Sequence, residues 1–144
     1  MKDRVYRPEN WSASPLENEL ARLVGGRCMH CRQVFFPRFD ICPNCASREP
    51  MAEIQLSRRG KLYSYSVIHV TTPGFRAPYA VAYVDLPEGP RIFGHLDGWG
   101  KGPIPLDCPV EIYAGPIGES RDGERLTSVR FRCLPGETGA REEA

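Results

Sequence analysis

The spacing of apolar residues changes character near residue 60. In "SPLENELARLVGG", Leu16, Leu20, Leu23 and Val24 recur at helical spacing and fall on one stripe. Ser14 is a capping residue, Pro15 suits the first helical position, Glu17 completes a capping box, and Gly25-Gly26 is a stop signal. The segment therefore predicts a short amphipathic helix. Its apolar stripe needs a cover, from the rest of the chain or from a partner protein, because a short isolated helix is marginal in water.

From residue 61 the alternation has period 2. "KLYSYSVIHV", "YAVAYVDL", "RIFGHLD", "PVEIYAG" and "RLTSVRFRC" read as five strands. Turn chemistry separates them at "TTPGFRAP", "PEGP", "GWGKGPIPLD" and "PIGESRDGE". Five short strands without a further helix predict a mainly β chain closing into a small barrel. The five-stranded OB-fold is the leading candidate, and a small sandwich is the alternative.

Between helix and strands lies "CMHCRQVFFPRFDICPNC", with Cys28 and Cys31 in one C-x-x-C and Cys42 and Cys45 in another. Four thiolates on two tight knuckles make a closed tetrahedral site that suits a structural Zn²⁺, in a rubredoxin-like ribbon; iron accepts the same sulfur set. A filled sulfur shell leaves no open position for substrate, so the site holds structure and does not catalyse. His30, inside the first knuckle, is then expected to face solvent. Phe35, Phe36 and Phe39 exceed what so small a ribbon buries, and are expected to pack on the helix, the barrel or a partner. The organisation predicted is an arm and helix over 1–26, a zinc ribbon over 27–50, an OB-fold domain over 51–135 and a disordered polar tail over 136–144.

Charge adds a modest asymmetry. Residues 22–61 carry eight Arg or Lys against three acids, and residues 62–144 carry eight against eleven, so the ribbon half is the basic one. Seven of the first eight are arginines, suited to phosphate or carboxylate contacts, but for a patch this modest a solvated basic face is the favoured reading. The apolar runs are too short to span a bilayer and the N-terminus lacks a signal-peptide core, so no membrane partner is expected. Closely spaced cysteines in a reducing compartment bind metal, in keeping with a cytoplasmic location.

No catalytic constellation emerges. Cys133 is in phase with Val129 and Phe131 and reads as a core cysteine. Cys108 in "PLDCPV" has no histidine near it in sequence to activate it. His69 and His95 fall on expected strands, as satisfied barrel histidines.

The order of helix, four-cysteine ribbon and five strands resembles the zinc-ribbon plus OB-fold family associated with acyl-CoA enzymes, originally catalogued as a domain of unknown function. The likeness covers roughly residues 14–135. It rests on "GGRCMHCRQVFFPRFDICPNC", on "GKLYSYSVIHVTTPGFRAPYAVAYVDLPEGPRIFGHL", which is the more specific, and on "DCPVEIY". The resemblance implies a non-catalytic accessory subunit. Its partner would be a thiolase, a thiolase-like aldolase or a hydroxymethylglutaryl-CoA synthase that carries the reactive residues, with an acyl-CoA thioester as the bound substrate of the complex. On that footing Arg76, with Phe75 and Tyr79, becomes a candidate coenzyme A contact, the arginine for phosphate and the rings for adenine or an aromatic acyl group; the two aromatics equally suit packing in a barrel rim. A nucleic-acid-binding zinc-ribbon/OB module is the competing class, disfavoured by a pI near 7.6 and only three lysines.

Overall fold

The computed structural model describes residues 3–70 and 73–134. Among the described residues, nine strands build two sheets. Three of them, β2 (Val24–Arg27), β3 (Val34–Phe35) and β4 (Ala52–Gln55), form the ribbon sheet, with β2 central and both neighbours antiparallel to it. Five more, β5 (Arg59–Ile68), β6 (Tyr79–Asp85), β7 (Arg91–Leu96), β8 (Pro109–Glu119) and β9 (Arg125–Cys133), close the barrel. Around it the order is β5-β6-β7-β9-β8, returning to β5, with β7 and β9 parallel and the other pairs antiparallel. This is the OB-fold arrangement.

The five barrel strands match the period-2 runs. Leu62, Val84, Ile92, Leu96, Val110 and Phe131 point inward, each at most 1% exposed. Burying a side chain of this size contributes about 2 kcal/mol, so the barrel interior supplies most of the cohesion. β5 spans two neighbours: Arg59–Lys61 pair with β8 and Lys61–Ile68 with β6, across a bulge between Leu62 and Ser64. Bulges of this kind add the local twist that closure requires.

The expected helix over residues 14–24 is absent, and the described residues contain no α-helix. Ser14 O accepts the N–H groups of Glu17 and Asn18, which makes a single turn. Asn18 then ends it: its Oδ1 takes the Leu20 N–H and its carbonyl takes that of Ala21, in the way short polar side chains compete with a helix. The apolar stripe is split. Leu16 and Leu20 are 47% and 62% exposed, whereas Leu23, bridged to Trp11, and Val24, opening β2, are buried. Gly25 and Gly26 lie inside β2 and stop nothing. A Cβ on Gly25 would stand 2.4 Å from Phe35 O, so the glycine is there for strand approach.

Trp11, Leu23 and Leu56 belong to one buried cluster with the barrel residues, and Phe36 packs against it. Ribbon and barrel are thus welded through a shared core. A further strand, β1 (Asp3–Val5), adds in parallel to β9, with Asp3 accepting a 2.7 Å hydrogen bond from Arg125 Nε. The predicted disordered tail, 136–144, lies outside the described residues. No helix among the described residues is long and apolar enough to cross a membrane.

Candidate functional site

The cysteine cluster of the ribbon and an aromatic and cationic rim of the barrel both gather chemistry. The cluster is built from two knuckles with one hydrogen-bond plan. Cys28 donates its N–H to Gln33 O and accepts that of Arg32, while Cys42 donates to Ser47 O and accepts that of Ala46. Arg32 and Ala46, four residues past the first cysteine of each pair, have positive φ values of 72° and 64°. Sulfur accepts backbone N–H groups in both: Cys31 to Cys28 Sγ at 3.5 Å, and Asn44 and Cys45 to Cys42 Sγ at 3.4 Å.

The knuckles face each other, so Sγ pairs across them: Cys28 with Cys45 at 3.6 Å and Cys31 with Cys42 at 3.7 Å. All four sulfurs lie within 4.8 Å of one another. A zinc ion bonded to four sulfurs at about 2.3 Å sets tetrahedral S···S edges near 3.8 Å, so the donor set fits the ion in chemistry and in size. The electrostatics also call for a cation. Hydrogen bonds from the Asn44 side chain and then the Gln33 backbone hold the Cys31 thiol down at about 6. For Cys45 the Ser47 N–H pulls downward, but desolvation and the neighbouring sulfurs outweigh it, and the thiol is pushed up to about 12. The cluster is consistent with structural zinc, which when bound would cross-link the knuckles. His30 is exposed, as expected. Of the three ribbon phenylalanines, Phe36 reaches the shared core, and Phe35 meets Phe39 edge to face at 5.8 Å, with Phe39 41% exposed.

The rim brings together Phe75, Arg76 and Tyr79, and adds His95. Glycines set the backbone of this corner. Gly74, at φ 104°, gives its carbonyl to the Glu119 N–H, and a Cβ on Gly118 would lie 2.5 Å from that same carbonyl. The loop therefore lies flat on the end of β8, which turns Phe75 toward Tyr79 (5.8 Å between centroids) and His95 (6.1 Å). Tyr79 and His95 stack at 5.1 Å and 10°. Sequence reasoning missed His95 as a site residue, because only the pairing Val81↔His95 on β6 and β7 puts it beside Tyr79. His69 lies just past β5 and is exposed, instead of sitting on the strand.

These residues line a cavity of about 450 Å³ whose other side carries Arg125, Arg130 and Glu119. Two of its three guanidinium groups are held internally. Arg125 pairs with Asp3, and Arg130 donates to Asp97 Oδ1 from Nε and Nη2 at 2.9 and 2.6 Å and to Pro116 O from Nη1 at 2.7 Å. The Tyr113 hydroxyl donates to Asp97 as well. Arg76 is exposed and has no ion-pair partner among the described residues. Desolvation first, and the positive charge of Arg130 second, lower the His95 pKa from its ordinary 6.5 to about 4, against a smaller opposing effect of Asp97. The rim thus offers one available cation, a neutral imidazole and two flat rings. Through Phe75, His95 and Ile117 it adjoins an apolar cavity of about 350 Å³, walled by Trp11, Phe36, Phe93 and Val129. A third cavity, about 790 Å³ between arm and ribbon, carries Arg7, Arg38 and Arg48 together with Glu9 and Asp40, so the basic half presents mixed charge there.

Residues 21–50 match the rubredoxin-like zinc ribbon domain of ChsH2, and residues 53–114 match the C-terminal OB-fold domain of ChsH2. The benzoylsuccinyl-CoA thiolase subunit BbsA of Thauera aromatica is 40% identical over 121 residues, which cover 84% of this chain and 83% of that one. The chain belongs to the ChsH2/DUF35 zinc-ribbon plus OB-fold family. Another DUF35 relative, the DUF35 domain-containing scaffold protein of Methanothermobacter thermautotrophicus, is 44% identical over 115 residues, 78% of this chain and 86% of the relative. Among solved structures, the Ltp2-ChsH2(DUF35) aldolase aligns with a TM-score of 0.62 at 32% identity, covering 78% of this chain and 84% of that chain. Phe75, Arg76, Tyr79 and His95 all fall inside the matched OB-fold span. Glu119, Arg125 and Arg130, which complete the cavity, fall beyond it on β8 and β9.

Proposed function

We propose that this chain is a non-catalytic scaffold subunit of a thiolase-type acyl-CoA enzyme, one that holds part of the coenzyme A thioester at the barrel rim while a partner subunit carries the reactive groups. Relatives named as a thiolase subunit, as scaffold proteins and as part of an aldolase support the class. The observation that carries the rim assignment is the convergence of Arg76 with the Phe75–Tyr79–His95 rings on one cavity. An unpaired guanidinium is the group that recognises a phosphate, and stacked rings present a flat face to adenine or to an aromatic acyl group. The adjoining apolar cavity suits the part of the thioester that shuns water. At the finer level, the two BbsA relatives, each 40% identical, support benzoylsuccinyl-CoA cleavage in anaerobic toluene degradation as the reaction of the complex. The ribbon's Cys28, Cys31, Cys42 and Cys45 hold zinc for structure in this reading, and the complex works in the cytoplasm.

The competing nucleic-acid reading has one feature in its favour, the exposed pair Tyr83 and Phe93, 5.3 Å apart on the outer face of β6 and β7. The cation beside them, Arg91, is occupied: it bonds Asp85 and lies 3.4 Å over the Tyr63 ring. Stacking without phosphate contacts favours a protein surface over a nucleic acid there.

Calorimetric titration of the co-purified complex with coenzyme A tests the rim. Arg76→Ala should weaken binding about tenfold with zinc content unchanged, as befits the loss of a charge-assisted contact. Unchanged affinity would remove the rim from the coenzyme A path.

A further inference from the structure

A further pair of thiols lies apart from the ribbon's four. Cys108 immediately precedes β8 and Cys133 ends β9; their Sγ atoms are 3.7 Å apart, and neither is in a disulfide. Cys108 is fully buried, while Cys133 is half-buried. The pair sits at the seam where the barrel closes. Leu62 of β5 donates its N–H to Cys108 O at 3.0 Å, Val110 of β8 stands opposite Cys133, and the Leu134 N–H reaches Pro109 O at 3.1 Å. Backbone on both sides is therefore pinned, and the sulfurs are held together by the fold and not by a metal site: the metal-capable group among the described residues is the ribbon's four cysteines.

We propose that Cys108 and Cys133 form an oxidation site, a dithiol that hydrogen peroxide converts to a disulfide while the ribbon keeps its metal. The chemistry needs two steps. The Cys133 thiolate attacks a peroxide oxygen; an S–O bond forms, the O–O bond breaks, and the released hydroxide takes up a proton and leaves as water. Cys108 gives up its proton and attacks the Cys133 sulfur; the S–S bond forms, the S–O bond breaks, and the hydroxide released takes up that proton and leaves as a second water. Two thiols lose two electrons and one peroxide gains them. Geometry assigns the order: Cys133 meets the oxidant because it is the less buried of the two, and Cys108, in contact with it, resolves the sulfenic acid. From 3.7 Å, the sulfurs need only approach by roughly 1.7 Å to reach a bond of about 2.05 Å. The product ties the two ends of the β8–β9 hairpin, whose far end, Pro116–Glu119 and Arg125, lines the rim cavity. The oxidation site stands independently of what the rim binds.

The test treats the zinc-loaded full chain with one equivalent of hydrogen peroxide, blocks the remaining thiols with an alkylating agent, and maps the cysteines by mass spectrometry of a non-reducing digest. A chromogenic chelator follows zinc release in parallel. A linked Cys108–Cys133 peptide with zinc retained is the expected result, together with a melting temperature several degrees higher that dithiothreitol reverses. Cys108→Ala should leave Cys133 as a sulfenic acid that dimedone traps, and Cys133→Ser should give no link while keeping zinc. Release of zinc with ribbon disulfides forming first, while Cys108 and Cys133 stay alkylatable, would overturn the proposal. So would conversion of Cys133 in the unsubstituted chain to the sulfinic acid without a link to Cys108.

Discussion

The imidazole of His95 lies parallel to the Tyr79 ring at 5.1 Å, buried at a rim where Arg130 is a charged neighbour. This surrounding favours the neutral ring, lowering its pKa to about 4 from the ordinary 6.5. The unfolded chain therefore takes up a proton at a higher pH than the folded one. Stability from this group is fully present above about pH 6.5 and is lost as pH falls toward 4. Melting temperatures should drop between pH 7 and pH 5 in the unsubstituted protein, and the drop should be smaller in His95→Phe, which keeps a flat ring but has no proton to gain. Equal slopes in the two proteins would show that another group controls the acid response.

The packing of β2 on β3 leaves no room for a side chain at Gly25. A Cβ there would stand 2.4 Å from the Phe35 carbonyl oxygen, a backbone atom that moves only if the strands separate. Gly25→Ala should cost about 2 kcal/mol or more, read from chemical denaturation, because the clash can be relieved only by shifting the ribbon sheet. A midpoint equal to that of the unsubstituted chain would mean that the strands part freely.

Removing one knuckle sulfur tests the ribbon's dependence on metal. Structural zinc in small sulfur sites contributes on the order of 10 kcal/mol to folding, more than the shallow ribbon sheet recovers alone. Cys42→Ala should purify without zinc, with the ribbon unfolded and solubility reduced. Because Leu23 and Leu56 join the ribbon strands to the barrel core, loss of the ribbon should also lower the barrel's melting temperature. A metal-free Cys42→Ala protein with native dichroism and an unshifted melting temperature would contradict the account.

The parts legible in the sequence were those written in local spacing. Alternation in "YAVAYVDL" and "RLTSVRFRC" predicts β6 and β9 because a half-buried strand has period 2, and the doubled C-x-x-C predicts the sulfur cluster because each knuckle is a local turn. Residues 14–24 misled because their helical spacing was overridden by tertiary pairing: Leu23 bridges Trp11 and Val24 enters a sheet. β1 carries no apolar alternation and exists through its parallel ladder with β9, more than a hundred residues away in sequence, so no local signal announces it. The rim was half legible. Phe75, Arg76 and Tyr79 lie close in sequence, whereas His95 joins them only through strand register, and Arg125 and Arg130 were recognisable as held only once Asp3 and Asp97 were placed beside them.

The central claim is that the chain works as a scaffold for a thiolase-type catalytic subunit, and reconstitution measures it most directly. Co-expression with a thiolase-like subunit from the same genome, followed by size-exclusion chromatography and an acyl-CoA cleavage assay, should give one co-eluting complex. Turnover per catalytic subunit should exceed that of the catalytic subunit alone by at least about tenfold, and the Arg76→Ala complex should assemble normally while requiring more substrate. Separate elution of the two chains, with full turnover by a soluble catalytic subunit on its own, would contradict the scaffold role.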